Sequence, residues 1–201
     1  MSRDRPLDEA ELDSDPLRQF AAWFEDAGAA GVRAREAMAL ATATADGGPS
    51  VRMVLMKGFD ERGFVFFTGY ESRKGAELSA NSRAALLFYW DPLGRQVRIE
   101  GPVERVAEAE SDAYFASRPR GAQISASVSP QSRVVESRAR LEAAAAELEA
   151  RGGELRRPPA WGGFRVAPES YEFWQHRANR LHDRLRYRRD DGGWVIERLG
   201  P

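Results

Sequence analysis

A succession of short extended segments, beginning near residue 38, is the feature that most restricts how this chain can fold. "MALATATA" and "SVRMVLMK" flank the turn "DGGP" and predict a β-hairpin, and "FVFFT" predicts a third strand. "AALLFYW" predicts a fully buried strand, and "RQVRIEGPVERV" alternates charged and apolar residues. Because few helices separate these segments, the pattern favours an antiparallel barrel over a doubly wound parallel sheet.

Helices are predicted on both sides of this meander. Asp15 can cap a helix over "DPLRQFAAWFEDAG", and Ser72 can cap a short one over "SRKGAELSAN". "EAESDAYFAS" predicts another helix, and "SRVVESRARLEAAAAELEARGG" predicts a long amphipathic helix ended by glycines.

The C-terminal part returns to extended structure. "FRVAPESYEFWQ" predicts two short strands broken at Pro168, and "RLRYRRDDGGWVIERL" predicts a hairpin that turns at "DDGG". We therefore expect one mainly β domain with flanking helices over residues 15–201. The acidic, turn-rich residues 1–14 are expected to form a mobile arm.

Composition excludes several classes of protein. The absence of cysteine removes disulfides and thiolate chemistry, and with only two histidines no metal site is expected. The net charge of -1 disfavours nucleic acid and anionic membranes as partners. No apolar run is long enough to span a membrane, and the polar start lacks the apolar core of a signal peptide, so we expect a cytoplasmic protein.

The stretch "NRLHDRLRYRR", residues 179–189, holds five arginines and one histidine. If it is extended, alternation places Arg180, His182 and Arg184 on one face. That face would suit an anionic or electron-rich planar ligand, with Trp174 as an aromatic wall beside it. The alternative is a solvated edge strand whose charges deter aggregation.

A second candidate, "SRKG" at residues 72–75, suits a phosphate group. A serine cap followed by Arg73 and Lys74 combines free backbone N–H groups, the positive end of a helix dipole and two cations. Basic residues in a first helical turn are unfavourable unless an anion compensates them. The alternative is an ordinary capped surface helix.

Two further stretches hold residues that could bind a ligand. Arg52 and Lys57 are five residues apart, so a strict strand puts them on opposite faces, and either one alone serves a site or the strand lies at a subunit interface. Tyr114 and Arg118 are four apart on one predicted helix face, and Gln131 precedes Ser132 in a turn. Solvated strand ends and a surface helix are the alternatives. No catalytic triad, HExxH, GxGxxG or Walker motif occurs, which suggests that a bound cofactor carries any reaction.

Seven motifs occur in order between Arg52 and Pro201, within a likeness that runs from about Asp15 to Pro201: "RMVLMKGFDERGFVFFT", "SRKGAEL", "GRQVRIEGPVERV", "YFASRPRGAQ", "VSPQS", "PPAWGGFRVAPESYEFWQ" and "NRLHDRLRYRRDDGGWVIERLGP". Together they closely resemble the pyridoxamine 5'-phosphate oxidase family. The resemblance implies an FMN-binding split β-barrel that works as a homodimer with sites built from both subunits. It also implies oxidation of pyridoxine 5'-phosphate or pyridoxamine 5'-phosphate to pyridoxal 5'-phosphate with O2, by hydride transfer from C4' to flavin N5, releasing H2O2.

The same resemblance implies roles for individual residues. Arg180 and His182 would be the catalytic residues, with positioning and electrostatic roles over the substrate ring. Lys57, Tyr114 and Arg118 would bind the substrate phosphate. FMN would be bound by Arg52, Met53, Val54, Leu55, Met56, Lys57, Phe67, Thr68, Arg73, Lys74, Gln96, Gln131, Ser132, Trp174 and Arg184.

The sequence departs from the family pattern in three places. Ala122 stands where many members have a phosphate-binding serine, His176 and Arg177 stand where glycines are common, and the usual N-terminal arm is nearly absent. A related FMN oxidase of the phenazine pathway and a non-catalytic flavin- or haem-binding split barrel remain as alternatives. An arginine-rich nucleic-acid binder is disfavoured by the near-zero net charge.

Overall fold

A computed structural model describes residues 5–201, and residues 1–4 of the expected arm lie outside the described residues. The helices of the described part are α1 Pro16–Ala29, α2 Arg73–Ala80, α3 Glu108–Ser117, α4 Arg120–Val128 and α5 Arg138–Ala150. The strands are β1 Ala37–Ala43, β2 Pro49–Leu55, β3 Gly58–Asp60, β4 Gly63–Gly69, β5 Arg83–Trp90, β6 Arg95–Arg105, β7 Trp161–Val166, β8 Ser170–Gln175, β9 Asp183–Asp190 and β10 Gly193–Arg198.

All strand pairings are antiparallel, and strand β6 belongs to both halves of the sheet. One path runs β10-β9-β8-β6-β5-β1-β2, and the other runs β3-β4-β7-β6. Residues 95–100 of β6 pair with β8, whereas residues 103–105 pair with β7. The sheet therefore curls into a half-barrel, and the prediction of a mainly β split barrel with flanking helices is confirmed.

The change of partner occurs at Gly101. A Cβ atom at this residue would lie 1.9 Å from the carbonyl oxygen of Ala167, a distance that no side chain permits. On either side, the Ala167 amide donates to the Pro102 carbonyl (2.9 Å) and the Glu169 amide donates to the Glu100 carbonyl (2.8 Å). Glycine at position 101 therefore lets the corner between β7 and β8 lie directly on β6.

The core is an aromatic cluster sealed by α1. This helix begins where predicted, because the Asp15 carboxylate accepts a hydrogen bond from the Leu17 amide (2.9 Å). Its fully buried Phe20 ring lies 4.8 Å from Phe64 and 5.0 Å from Phe88, centroid to centroid. Edge-to-face packing of this kind adds to the free energy gained from burial alone.

Residues 5–14 are packed against the C-terminal hairpin. Leu7 is buried, and its amide donates to the Asp183 carboxylate (3.1 Å). Arg198 donates to Glu9 (2.7 Å), and the Tyr187 hydroxyl donates to the Asp13 carbonyl (2.7 Å). These contacts fasten the N-terminal segment to β9 and β10.

Four other elements differ from the sequence predictions. Strand β5 is half buried rather than fully buried, since Leu87 and Tyr89 are 36% and 52% exposed. The predicted helix from residue 132 begins only at Arg138, capped by Ser137, and none of its residues is buried. Helix α4 and the short strand β3 were not predicted. No helix among residues 5–201 is long and apolar enough to cross a membrane.

The outer face of β2, β1 and β5 carries exposed apolar side chains. Val51, Met53 and Leu55 alternate outward along β2, and the register through Ala39 places Met53 and Leu87 on the same face. Met53 is 65% exposed. We refer to Val51, Met53, Leu55, Leu87 and Tyr89 as the apolar face. Contiguous apolar surface of this kind is typical of a protein–protein contact.

We predict that Phe20→Ala destabilises the fold by about 3 to 5 kcal/mol, because it removes a fully buried ring and leaves a cavity among packed aromatic rings. Urea unfolding followed by tryptophan fluorescence measures the loss. Val134→Ala, at a fully exposed site, is the control and should change the free energy of unfolding by less than about 0.5 kcal/mol. Equal losses in the two variants would contradict the placement of Phe20 at the core.

Candidate active site

A cleft of about 770 Å³ opens between β2, β4, the N-terminus of α2, α3 and the loop after α4. It brings together most of the site residues inferred from the sequence. The inferred site residues that line it are Arg52, Met53, Val54, Leu55, Lys57, Phe67, Thr68, Arg73, Lys74, Tyr114, Arg118, Gln131 and Ser132. We call these residues the cleft group.

One end of the cleft is the N-terminus of α2. The Ser72 hydroxyl accepts a hydrogen bond from the Gly75 amide (3.3 Å), which confirms the predicted cap. Lys74 is buried, and its Nζ donates to Thr68 (3.1 Å) and to Ser72 (3.4 Å). Burial, and then the charge of Arg52, lower the pKa of Lys74. This end therefore combines a helix dipole, backbone N–H groups and cations around one small volume.

The loop after α4 closes over this end of the cleft. The Gln131 side-chain oxygen accepts hydrogen bonds from the Thr68 hydroxyl (2.8 Å) and from the Gly69 amide (3.1 Å). Its neighbour Ser132 has φ of 69°, in the left-handed region that non-glycine residues rarely adopt. Strained backbone of this kind is most often found where a ligand or a functional contact requires it.

The sequence reasoning missed Glu77, a buried carboxylate behind the cleft. Its Oε2 accepts hydrogen bonds from Thr42 and Ser50 (both 2.5 Å) and from Arg52 (3.2 Å), and its Oε1 accepts one from Arg73 (2.8 Å). Burial alone would raise the pKa of Glu77, but these hydrogen bonds prevail and lower it to about 2. The four-residue spacing from Arg73 was the one signal in the sequence, since the other partners come from β1 and β2.

Arg52 and Lys57 line the same cleft of one chain, although strict alternation would have separated them. Strand β2 ends at Leu55, and the Lys57 amide donates to the Val65 carbonyl (2.8 Å) instead of continuing the ladder with β1. Alternation therefore does not extend to Lys57, because the strand ends two residues before it. Met56 differs from its neighbours, since its side chain is buried in the core and does not line the cleft.

The other end of the cleft is an aromatic wall with a cation. Phe67 and Tyr114 stack with ring centroids 4.0 Å apart, and the Arg118 guanidinium lies 4.7 Å from the centroid of the Trp161 ring. Arg118 Nη1 is buried, and within residues 5–201 it has no hydrogen-bond partner. Burial lowers the pKa of Arg118. An unsatisfied guanidinium nitrogen is costly, and an anion bound in the cleft would satisfy it.

Helix α4 and its C-cap supply hydroxyl groups beyond Ala122. Ala122 does not line the cleft, whereas Ser125, Ser127 and Ser129 do. The Ser127 hydroxyl donates to the carbonyl of Gln123 (2.9 Å). Although position 122 is alanine, the same segment therefore still presents serine hydroxyls along the cleft.

Arg180 and His182 are not in a strand, so the predicted cationic face over residues 180–184 is wrong. A 3-10 turn spans Ala178–Arg180, with φ of 63° at Arg180, and β9 begins only at Asp183. His182 instead lies beside Trp174, with ring centroids 4.6 Å apart. Its Nδ1 accepts a hydrogen bond from the Arg177 amide (3.1 Å), so the neutral ring carries its proton on Nε2.

The remaining candidates form a second group away from this cleft. Gln96, Trp174 and Arg184 are direct partners across β6, β8 and β9, and Arg184 donates to Glu172 (2.9 Å). Together with Arg180 and His182 they constitute what we call the sheet group, none of which lines the cleft of its own chain. The tertiary structure thus divides the inferred site residues between two places.

The curled antiparallel sheet and the cationic cleft at a helix N-terminus define a split-barrel protein with a site suited to anionic ligands. Residues 24–152 match the family model described as pyridoxamine 5'-phosphate oxidase. Residues 161–201 match the model described as the pyridoxine 5'-phosphate oxidase C-terminal dimerisation region. The chain therefore belongs to the pyridoxamine 5'-phosphate oxidase family, which confirms the resemblance seen in its motifs.

Individual relatives agree with this assignment. A pyridoxine/pyridoxamine 5'-phosphate oxidase of Rubrobacter xylanophilus is 59% identical over 197 residues, covering 97% of this chain and 91% of the relative. One of Salinibacter ruber is 56% identical over 206 residues, covering 100% of this chain and 93% of the relative.

Solved structures share the fold. PhzG of Burkholderia lata 383, solved in complex with tetrahydrophenazine-1-carboxylic acid, matches with a TM-score of 0.94 and 38% identity over 100% of both chains. A pyridoxamine 5'-phosphate oxidase-related FMN-binding protein of Nostoc punctiforme matches with a TM-score of 0.74 and 18% identity, covering 94% of this chain and 100% of that one. The second likeness concerns the fold alone.

We predict that Glu77 stabilises the fold in a pH-dependent way. Its pKa of about 2 lies below the ordinary value of 4.5, so its contribution is complete above pH 4.5 and is lost as the pH falls towards 2. The unfolding temperature of Glu77→Gln should lie below that of the parent chain at pH 7, and the gap should close across this acidic range. Glu71→Gln, at a carboxylate that is 64% exposed, is the control and should follow the parent curve. A gap that persists at pH 2 would contradict the prediction.

Proposed function

We propose that the protein is an FMN-dependent oxidase that converts pyridoxine 5'-phosphate or pyridoxamine 5'-phosphate to pyridoxal 5'-phosphate, with O2 as the final acceptor. The observation that carries the proposal is that a single cleft has two cationic ends. Arg52, Arg73 and Lys74 lie at the end formed by the N-terminus of α2. Lys57 and Arg118 lie at the other end, beside the aromatic wall. Two phosphorylated molecules, a cofactor and a substrate, account for both ends.

The residues present fit FMN. The buried Lys74, the capped N-terminus of α2 and the two arginines supply the donors that a phosphate requires, and Gln131 and Thr68 supply polar groups beside them. FMN, when bound, supplies the chemistry of accepting a hydride from the substrate and passing electrons to O2. The chain itself supplies binding, orientation and electrostatics.

For the substrate, Lys57, Tyr114 and Arg118 would bind the phosphate and thereby fix the position of the ring. The unpartnered Nη1 of Arg118 is a donor held ready for a phosphate oxygen. A substrate anchored in this way has its reacting carbon placed against the cofactor. This placement lowers the entropic part of the activation free energy.

We infer that a second copy of the chain completes the site. The sheet group does not line the cleft of its own chain. Val51, Met53 and Leu55 of the apolar face are exposed along that cleft. Residues 161–201, which include much of the sheet group, match a dimerisation region. In the proposed homodimer, the sheet group of one subunit meets the cleft of the other. Arg180 and the Nε2 proton of His182 would then orient the ring and stabilise charge that develops during hydride transfer.

A second candidate function is oxidation of a reduced phenazine-type ring. The match to PhzG over the whole chain favours it. Two observations favour the phosphorylated substrate: the anion-suited Lys57, Tyr114 and Arg118, and relatives named pyridoxine/pyridoxamine 5'-phosphate oxidase at 56% to 59% identity.

The purified protein, reconstituted with FMN, should show the visible absorbance band of an oxidised flavin. Anaerobic addition of pyridoxine 5'-phosphate should bleach the band, and air should restore it, because the substrate donates a hydride and O2 removes the electrons. A band that a reduced phenazine bleaches and pyridoxine 5'-phosphate does not would establish the second candidate. A protein that binds no flavin would exclude both.

We predict that Arg118→Met raises KM for pyridoxine 5'-phosphate by about 10- to 100-fold, the cost of losing a charge-assisted hydrogen bond, with a smaller effect on kcat. Steady-state oxygen consumption measures both constants. Arg138→Met, on the exposed helix α5, is the matched control and should leave KM unchanged. A KM equal to that of the control would remove Arg118 from the substrate site.

A further inference from the structure

Glu77 contacts Arg52 and Arg73 at the end of the cleft formed by the N-terminus of α2. The function proposed above assigns it no role. We propose that Glu77 is a positioning residue for the cofactor phosphate: it holds the guanidinium groups of Arg52 and Arg73 in the orientation that binds the phosphate. This inference rests on the proposed binding of FMN in the cleft.

The two carboxylate oxygens of Glu77 are divided between the two arginines. Oε2 accepts from Arg52 Nη2 (3.2 Å), and Oε1 accepts from Arg73 Nε (2.8 Å). The Arg73 side chain is 63% exposed, and within residues 5–201 its one hydrogen bond is to Glu77. Without the carboxylate, this long side chain would lose the contact that fixes its direction, and ordering it on a ligand would cost conformational entropy.

Arg52 is held from a second side. Its Nη1 donates to the Leu40 carbonyl (3.2 Å) and to the Thr42 hydroxyl (2.5 Å), and its Nη2 donates to the Ser50 hydroxyl. Thr42 and Ser50 also donate to Glu77, so the carboxylate is the centre of this network. A residue held by such a network is pre-organised before a ligand arrives.

The charges also suit a phosphate monoester. Arg52, Arg73 and Lys74 bring three positive charges to this end of the cleft, and Glu77 removes one of them. The balance of two positive charges matches the charge of about -1.5 to -2 that a phosphate monoester carries at pH 7. Glu77 also raises the pKa of Lys74 against the effects of burial and of Arg52, which favours the charged amine.

The competing explanation is that Glu77 serves only to join α2 to β1 and β2. The two explanations differ in what they predict for riboflavin, which has the ring system of FMN and lacks the phosphate. A residue that joins elements of the fold affects the binding of both flavins. A residue that positions the arginines affects FMN alone.

The experiment is to measure Kd for FMN and for riboflavin, by quenching of flavin fluorescence, in the full-length parent chain and in Glu77→Gln. We expect Kd for FMN to rise about 10-fold or more, and Kd for riboflavin to stay within about twofold, since the lost interaction involves the phosphate ligands. Glu142→Gln is the charge control. It removes a negative charge that pairs with an arginine, Arg138, on the exposed helix α5 and does not line the cleft. It should change neither constant by more than about twofold.

Each result has a defined meaning. Equal weakening of both flavins, or unchanged or tighter binding of FMN, would overturn the positioning role while leaving the proposed function intact. A parent chain that binds neither flavin would overturn the proposed function and this inference together. If Glu77→Gln does not fold, Glu77→Asp replaces it, because it keeps the charge and withdraws the carboxylate by one methylene. It should show the same loss for FMN alone, and parallel losses for both flavins would overturn the inference.

Discussion

The close approach of Gly101 to the carbonyl of Ala167 is the constraint on which the half-barrel depends. Because glycine has no side chain, the corner after β7 can lie directly on β6 at this residue. Strand β6 then pairs with β8 on one side of Gly101 and with β7 on the other. The curl carries β4 and β7 over towards α2, and so places Phe67, Thr68 and Trp161 on the walls of one cleft. The site is therefore a consequence of how the sheet closes, and its residues come from elements far apart in the chain.

Within that frame, the arginines divide into two kinds. Arg165 and Arg95 are buried and paired with carboxylates, so their charges are neutralised inside the fold. Arg52 and Arg73 share one carboxylate between them, and Arg118 has a buried nitrogen without a partner in the described structure. Uncompensated positive charge thus collects in the cleft, although the whole chain is close to neutral. This local imbalance supports the assignment of phosphorylated ligands.

Local signals in the sequence were sufficient for elements whose ends are fixed by their own residues. The caps Asp15 and Ser72, and the turn at "DDGG", fall where predicted. The errors arose where an element ended early: alternation was extended beyond Leu55 towards Lys57 and applied to Arg180 before β9 begins. The role of Glu77 could not be predicted, because its partners on β1 and β2 meet it only in the folded chain. Motif resemblance supplied most of the site residues, and the fold shows which of them share a cleft.

The two lysines of this chain, Lys57 and Lys74, both line the cleft. Elsewhere the basic side chains are arginines, whose guanidinium groups stay protonated and do not form imines under ordinary conditions. The reactive carbonyl of an aldehyde such as pyridoxal 5'-phosphate can condense with amines, and the chain offers it no lysine outside the cleft. A protein that releases such a product then presents a surface that is largely inert to it. Under the function proposed above, the scarcity of lysine would confine imine formation by side chains to the cleft in which the aldehyde is made.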